Sequence, residues 1–178
     1  MKRGLLIAVA LVVVAVAASA FFLLAPSGPR EIKLEMREFG FNAPSGGPTI
    51  RAKVGETIRI VLVNVGGADH EFMVVSDKDG FLKQLHQVIE ELRAKGLDEE
   101  KIETSEEVEE VHHHFTAVEL MVGNDRKMDV ELEPRESATI TLRFDRPGTY
   151  YYLCADMGLT FPEIHADRGM WGTIVVEG

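Results

Sequence analysis

Gly148-Thr149-Tyr150-Tyr151-Tyr152-Leu153-Cys154 follows Arg146-Pro147 directly and reads as a turn, then a strand, ending on the chain's single thiol. Aromatic residues favour a pleated, half-buried surface, and the Pro-Gly pair punctuates its start. Downstream, Thr173-Ile174-Val175-Val176 gives another strand, preceded by Met170-Trp171. Upstream, Ile32, Leu34 and Met36 alternate with Lys33, Glu35 and Arg37, and Ile58, Ile60 and Leu62 alternate with Arg59, Val61 and Val63. Met128–Leu132 and Ala138–Phe144 repeat the pattern. Turn residues separate these runs at Pro44–Pro48, Gly66-Gly67, Gly123–Asp125 and Arg146–Gly148. Short alternating runs with turns at this spacing predict an antiparallel all-β sandwich or barrel.

The middle of the chain breaks the period. Phe81, Leu82, Leu85, Val88, Ile89 and Leu92 follow helical spacing. Gly96 stands where a helix closes on a left-handed residue. This stretch, about 79–112, reads as a helical insertion in a β-fold. Between Glu90 and Glu110 ten acidic residues face three basic ones. That charge suits either a solvated face or a docking surface for a basic partner.

The chain has 178 residues and a formal charge of −10, with 46% apolar residues. Such an apolar fraction excludes wholesale disorder, and the acidic balance argues against nucleic acid as a partner. One cysteine excludes an intrachain disulfide and any centre needing two protein thiolates.

Residues 5–25 carry no charged side chain and follow Lys2 and Arg3. A helix of about twenty apolar residues spans a bilayer, and a basic flank stays on the cytoplasmic side. Residues 1–25 are therefore expected to be a membrane anchor or signal segment. Ala18-Ser19-Ala20 offers a cleavage site, and the apolar run past it favours an uncleaved anchor. Residues 26–30 read as a tether, and 31–178 as one domain outside the cytoplasmic membrane.

Four side chains carry chemistry. Cys154 ends a strand, His165 and Met170 follow it, and His70 is read as ending a strand after Val63–Asp69. One thiolate, two imidazoles and a weak axial thioether form the donor set of a blue-copper electron-transfer centre. Thiolate and thioether suit Cu(I), imidazole accepts both oxidation states, and ligands held at strand ends need not move when an electron passes.

At these residues the chain resembles the cupredoxins, the small blue-copper family. The matching pieces are Asn64 with His70-Glu71-Phe72, then Pro147–Cys154, His165 and Gly169–Val176. The resemblance covers roughly 30–76 and 124–178 and implies a Greek-key β-sandwich binding one copper ion through His70, Cys154, His165 and Met170. It also implies that Asn64 ties the two ligand loops together and that His165 lies nearest the surface, as the electron exit. The ten residues between Cys154 and His165 exceed the usual few, and they leave Met157 as a rival to Met170.

His112-His113-His114 cannot all face one metal, because adjacent residues point to different faces. They are read as partly exposed histidines where a helix passes into a strand over 115–122, with a second copper-capture or pH-sensitive patch as the alternative. His86 is read as surface, Trp171 and Phe161 as packing around the site, and the three tyrosines as alternating core and surface positions.

The expected function is a membrane-anchored electron carrier, not an enzyme, that exchanges single electrons with redox partner proteins. A copper chaperone, sensor or store using the same ligands is the alternative. A small copper enzyme, which needs an open coordination position, and a metal-free module are the other classes.

Overall fold

The computed structural model describes residues 29–178. The expected anchor or signal segment at 1–25 and most of the tether lie outside the described residues. Among the described residues, no helix is long and apolar enough to cross a membrane.

Eleven strands form two sheets. They are β1 (Arg30–Arg37), β2 (Gly40–Phe41), β3 (Ile50–Lys53), β4 (Thr57–Asn64), β5 (His70–Val75), β6 (Leu120–Val122), β7 (Asp125–Lys127), β8 (Asp129–Leu132), β9 (Ser137–Arg143), β10 (Gly148–Leu153) and β11 (Trp171–Glu177). One sheet runs β2-β1-β4-β9-β6-β7, the other β3-β11-β10-β5-β8. Most pairs are antiparallel, but β1 pairs with β4, and β3 with β11, in parallel. The sheets are thus mixed, not purely antiparallel as alternation had suggested. Alternation reports which face a residue takes and is blind to the direction of the neighbouring strand.

Between the sheets lie Leu34, Met36, Ile58, Ile60 and Leu62 from one side and Phe72, Val74, Tyr152 and Ile174 from the other. Phe72 and Tyr152 stack with ring centroids 5.6 Å apart, and Phe41 meets Tyr152 edge-on at 4.9 Å.

Three helices follow β5: α1 (Lys78–Ala94), α2 (Glu99–Glu103) and α3 (Glu106–Phe115). The Asp77 side chain caps α1 by accepting from the Gly80 N–H at 3.0 Å, and Gly96 follows the helix at φ 85°. Together they match the insertion expected at 79–112. The helices carry Phe81, Leu85, Ile89, Ile102, Val108 and Val111 onto the outer face of the five-stranded sheet, against Met73, Val75 and Leu153. Strand β5 is therefore apolar on both faces, Phe72 and Val74 inward and Met73 and Val75 outward. The three tyrosines, expected to alternate between core and surface, alternate instead between two cores: Tyr150 and Tyr152 face the inner one, and Tyr151 packs under this layer beside Trp171, at 6.3 Å.

Two boundaries differ from expectation. His70 opens β5 instead of ending a strand, because Val65–Asp69 is a loop. The strand expected over 115–122 is only Leu120–Val122, since α3 continues through Phe115.

Candidate metal centre

His70, at the first position of β5, shares the inward parity of Phe72 and Val74. Cys154, just past β10, shares the parity of Tyr152. Both side chains therefore enter the same end of the sandwich. The link from Cys154 to β11 returns His165 to them. His165 N–H donates to the Asp156 carbonyl at 2.8 Å, Ala166 N–H to the Cys154 carbonyl at 3.1 Å, and Ile164 N–H to the Asp167 carboxylate at 3.0 Å. Main-chain hydrogen bonds thus fold the long loop back on itself, and its ten residues do not prevent closure.

The three donor atoms form a triangle. His70 Nδ1 is 3.2 Å from His165 Nδ1, and Cys154 Sγ is 3.9 Å from the first and 3.5 Å from the second. A point equidistant from all three lies about 2.1 Å from each, the length of a bond from a transition metal to nitrogen and close to that to sulfur. The donors are also in the right chemical state. Burial lowers both imidazoles, His165 to about 4 with His70 as the second cause, so their lone pairs are free near neutrality. Burial, then the nearby Asp156 and Glu71 carboxyls, pushes the Cys154 thiol well up, so a cation must take the place of its proton. The Glu71 N–H points at Cys154 Sγ from 3.3 Å, ready to stabilise a thiolate. A soft metal accepting two nitrogens and one sulfur fits this site.

Met170 is fully buried in the same inner core as Cys154. Its N–H donates to the His165 carbonyl at 3.1 Å, and its carbonyl accepts from the Cys154 N–H at 3.0 Å. Met157 belongs to the other core, with the helices.

Several expectations need correction. Asn64 does not join the two ligand loops. Its amide donates to the Ala68 and Leu132 carbonyls, both at 2.8 Å, and its carbonyl accepts from the Gly66 N–H at 2.9 Å. It shapes the loop before His70 and ties it to β8. His165 is 1% exposed where the other three expected ligands are 0%, and it lies beneath Phe39, whose ring meets it edge-on at 5.7 Å. Arg168 in turn lies over Phe39 at 4.7 Å. His112 is largely buried, whereas His113 and His114 are exposed, and none of the three joins the triangle. His86, though partly exposed, bonds Asp167 at 3.0 Å and so pins α1 to the His165 turn. Trp171 and Phe161 pack on the helical side, under Lys78 and Arg93 respectively.

Residues that the sequence reading passed over also build the site. A Cβ on Gly66 would stand 2.7 Å from His70 Nε2. Gly169, at φ 105°, lies against Ser45, whose hydroxyl donates to the Arg168 carbonyl at 3.2 Å.

No protein-family model matches the chain, and a search of curated proteins finds no match. Solved structures do match. Auracyanin A, a blue copper protein from the green thermophilic photosynthetic bacterium Chloroflexus aurantiacus, is 19% identical with a TM-score of 0.52, covering 84% of this chain and all of its own. Auracyanin B gives 19% identity and a TM-score of 0.50, covering 86% and 94%. A multicopper oxidase gives 14% identity and a TM-score of 0.54, covering 85% of this chain and 45% of the oxidase. Two facing mixed sheets and this likeness give one conclusion: the chain has the cupredoxin fold.

Proposed function

We propose that the protein is a type 1 blue copper protein that carries single electrons, whose copper would be held by His70, Cys154, His165 and Met170. The convergence of Nδ1, Nδ1 and Sγ at mutual distances of 3.2–3.9 Å carries this reading. A copper ion there supplies the Cu(I)/Cu(II) couple.

The chain's own part is to hold the donors still and keep them dry. All four ligands are 1% exposed or less. The Glu71 N–H and the loop hydrogen bonds around Ala166 and His165 fix their orientation in advance, so little need reorganise with the change of charge. Such burial favours a carrier over the alternative of a copper chaperone or store, which needs an exchangeable metal, and over an enzyme, which needs an open position. Contact with redox partner proteins is assigned to the face over His165, where Phe39 and Arg168 form the cover. We place this activity on the outer side of the cytoplasmic membrane, on the strength of the uncharged run 5–25 after Lys2 and Arg3.

One equivalent of Cu(II) should give an intense visible band that bleaches on reduction and disappears in Cys154→Ser. Met170→Leu should keep the colour and raise the reduction potential, whereas Met157→Leu should leave both unchanged. A colourless one-to-one copper complex of the unaltered protein would overturn the assignment.

A further inference from the structure

A second group of ligating side chains lies on the other side of the same sheet. Glu71 and Asp129 sit diagonally on the paired strands β5 and β8, where Glu71 faces Glu131 and Met73 faces Asp129. Their side chains share the outer face, and α3 lowers His112 onto them. Glu71 Oε1 is 3.7 Å from His112 Nδ1, and that nitrogen is 3.7 Å from Asp129 Oδ2. All three donor atoms lie within 4.8 Å of one another.

These separations are too long for hydrogen bonds, which for charged partners close to about 2.7–2.9 Å. The two 3.7 Å separations from His112 Nδ1 are those of donors that share one ion at about 2.1 Å. Two further observations point the same way. Glu71 Oε1, the oxygen aimed at His112, is wholly buried and has no hydrogen-bond partner. Among the described residues, the group also opens into a cavity of about 850 Å³ between sheet and helices, lined by eight carboxyl groups and by no lysine or arginine. A buried carboxyl oxygen without a hydrogen-bond partner in such surroundings is a place where a cation can be held.

We propose that Glu71, His112 and Asp129 form a second metal site, binding one divalent cation of the zinc type, distinct from the copper site and independent of it. One imidazole and two carboxylates are suitable donors for such an ion, and the cavity leaves room for a water ligand. Bound there, the cation joins β5, β8 and α3 and clamps the helical layer to the sandwich. It also sits on the residue whose N–H faces Cys154 Sγ.

Zn(II) is titrated into copper-loaded protein, with the visible band showing whether copper stays in place. Bound zinc is then counted after desalting, and the melting temperature is recorded. The site predicts one retained zinc with the copper undisturbed and a rise in melting temperature, both absent in Asp129→Asn and His112→Gln. Asp129 lies at the partly open edge, so its variant keeps the fold if His112→Gln does not. A Cys154→Ser/His165→Ala protein, lacking the first site, should still retain one zinc, whatever the first site binds. Failure to retain zinc, or equal retention in both single variants, would overturn the proposal and leave His112 as a protonated partner of two carboxylates.

Discussion

Gly66 has no side chain to spare, because the His70 ring fills the space a Cβ would take, at 2.7 Å. Gly66→Ala should therefore turn the ring out of the donor triangle while the sandwich survives. The expected result is a weaker or lost visible band and copper affinity down by about ten- to a hundredfold, the scale of damage to residues that orient a ligand. Circular dichroism should be unchanged. Cys154, His70 and His165 were legible in the sequence because their donor types are few and each stands next to a strand or in the link between two strands. Gly66, read only as a turn residue, and Phe39 and Ser45 were not, since nothing in their local pattern says that an imidazole or a left-handed Gly169 packs against them. The burial of His165 escaped for the same reason: its cover comes from the link between β1 and β2, more than a hundred positions away.

The helical layer was legible as helix and illegible as cover. The spacing of Phe81, Leu85, Ile89 and Leu92 marks one apolar stripe, but the surface it meets is set by the outward residues of β5 and β10. Ile89 is 1% exposed and belongs to the core under the helices, whereas Cys154 belongs to the core between the sheets. Ile89→Ala should cost about 2–5 kcal/mol of folding stability, the range for deleting a buried aliphatic group, and leave the blue band intact. Denaturant unfolding followed beside the visible spectrum separates the two effects. Equal loss of colour and stability would mean that the layer also sets the ligand geometry. One link for such an effect exists, the His86–Asp167 bond from α1 to the His165 turn. Short strands such as β2, β3 and β7 were beyond sequence reading, because two to four residues cannot show a period.

Across the whole molecule, charge is distributed unevenly, and its acidic excess gathers around the helical layer. Glu103 is held above the ordinary carboxylate value of 4.5, chiefly by burial and then by Glu99. A carboxyl group raised in the folded state holds its proton after the unfolded chain has released it. Stability is then greatest below the unfolded value and falls as pH rises from about 4.5 through the raised one. Relative to the unaltered chelator-treated protein, Glu103→Gln should therefore gain melting temperature as pH climbs through this window, over the opposing contribution of the buried His70 and His165 imidazoles. A difference between the two proteins that does not change with pH would contradict this. The acidic run was visible in the sequence as charge. Its partial enclosure was not, because burial of Glu103 depends on the turn at Met157-Gly158, whose main chain hydrogen-bonds to it.

The order β3-β11-β10-β5-β8 places β10, the strand that leads into Cys154, in the middle of a sheet with a core on each face. Its amide protons can trade with solvent only when the molecule opens as a unit, whereas those of β7, at an edge and exposed, can trade through local fraying. Deuterium uptake along β10 and β5 thus measures global opening at the strands that present Cys154 and His70. Any slowing there on metal loading reports how much of the binding free energy goes into keeping the native state closed.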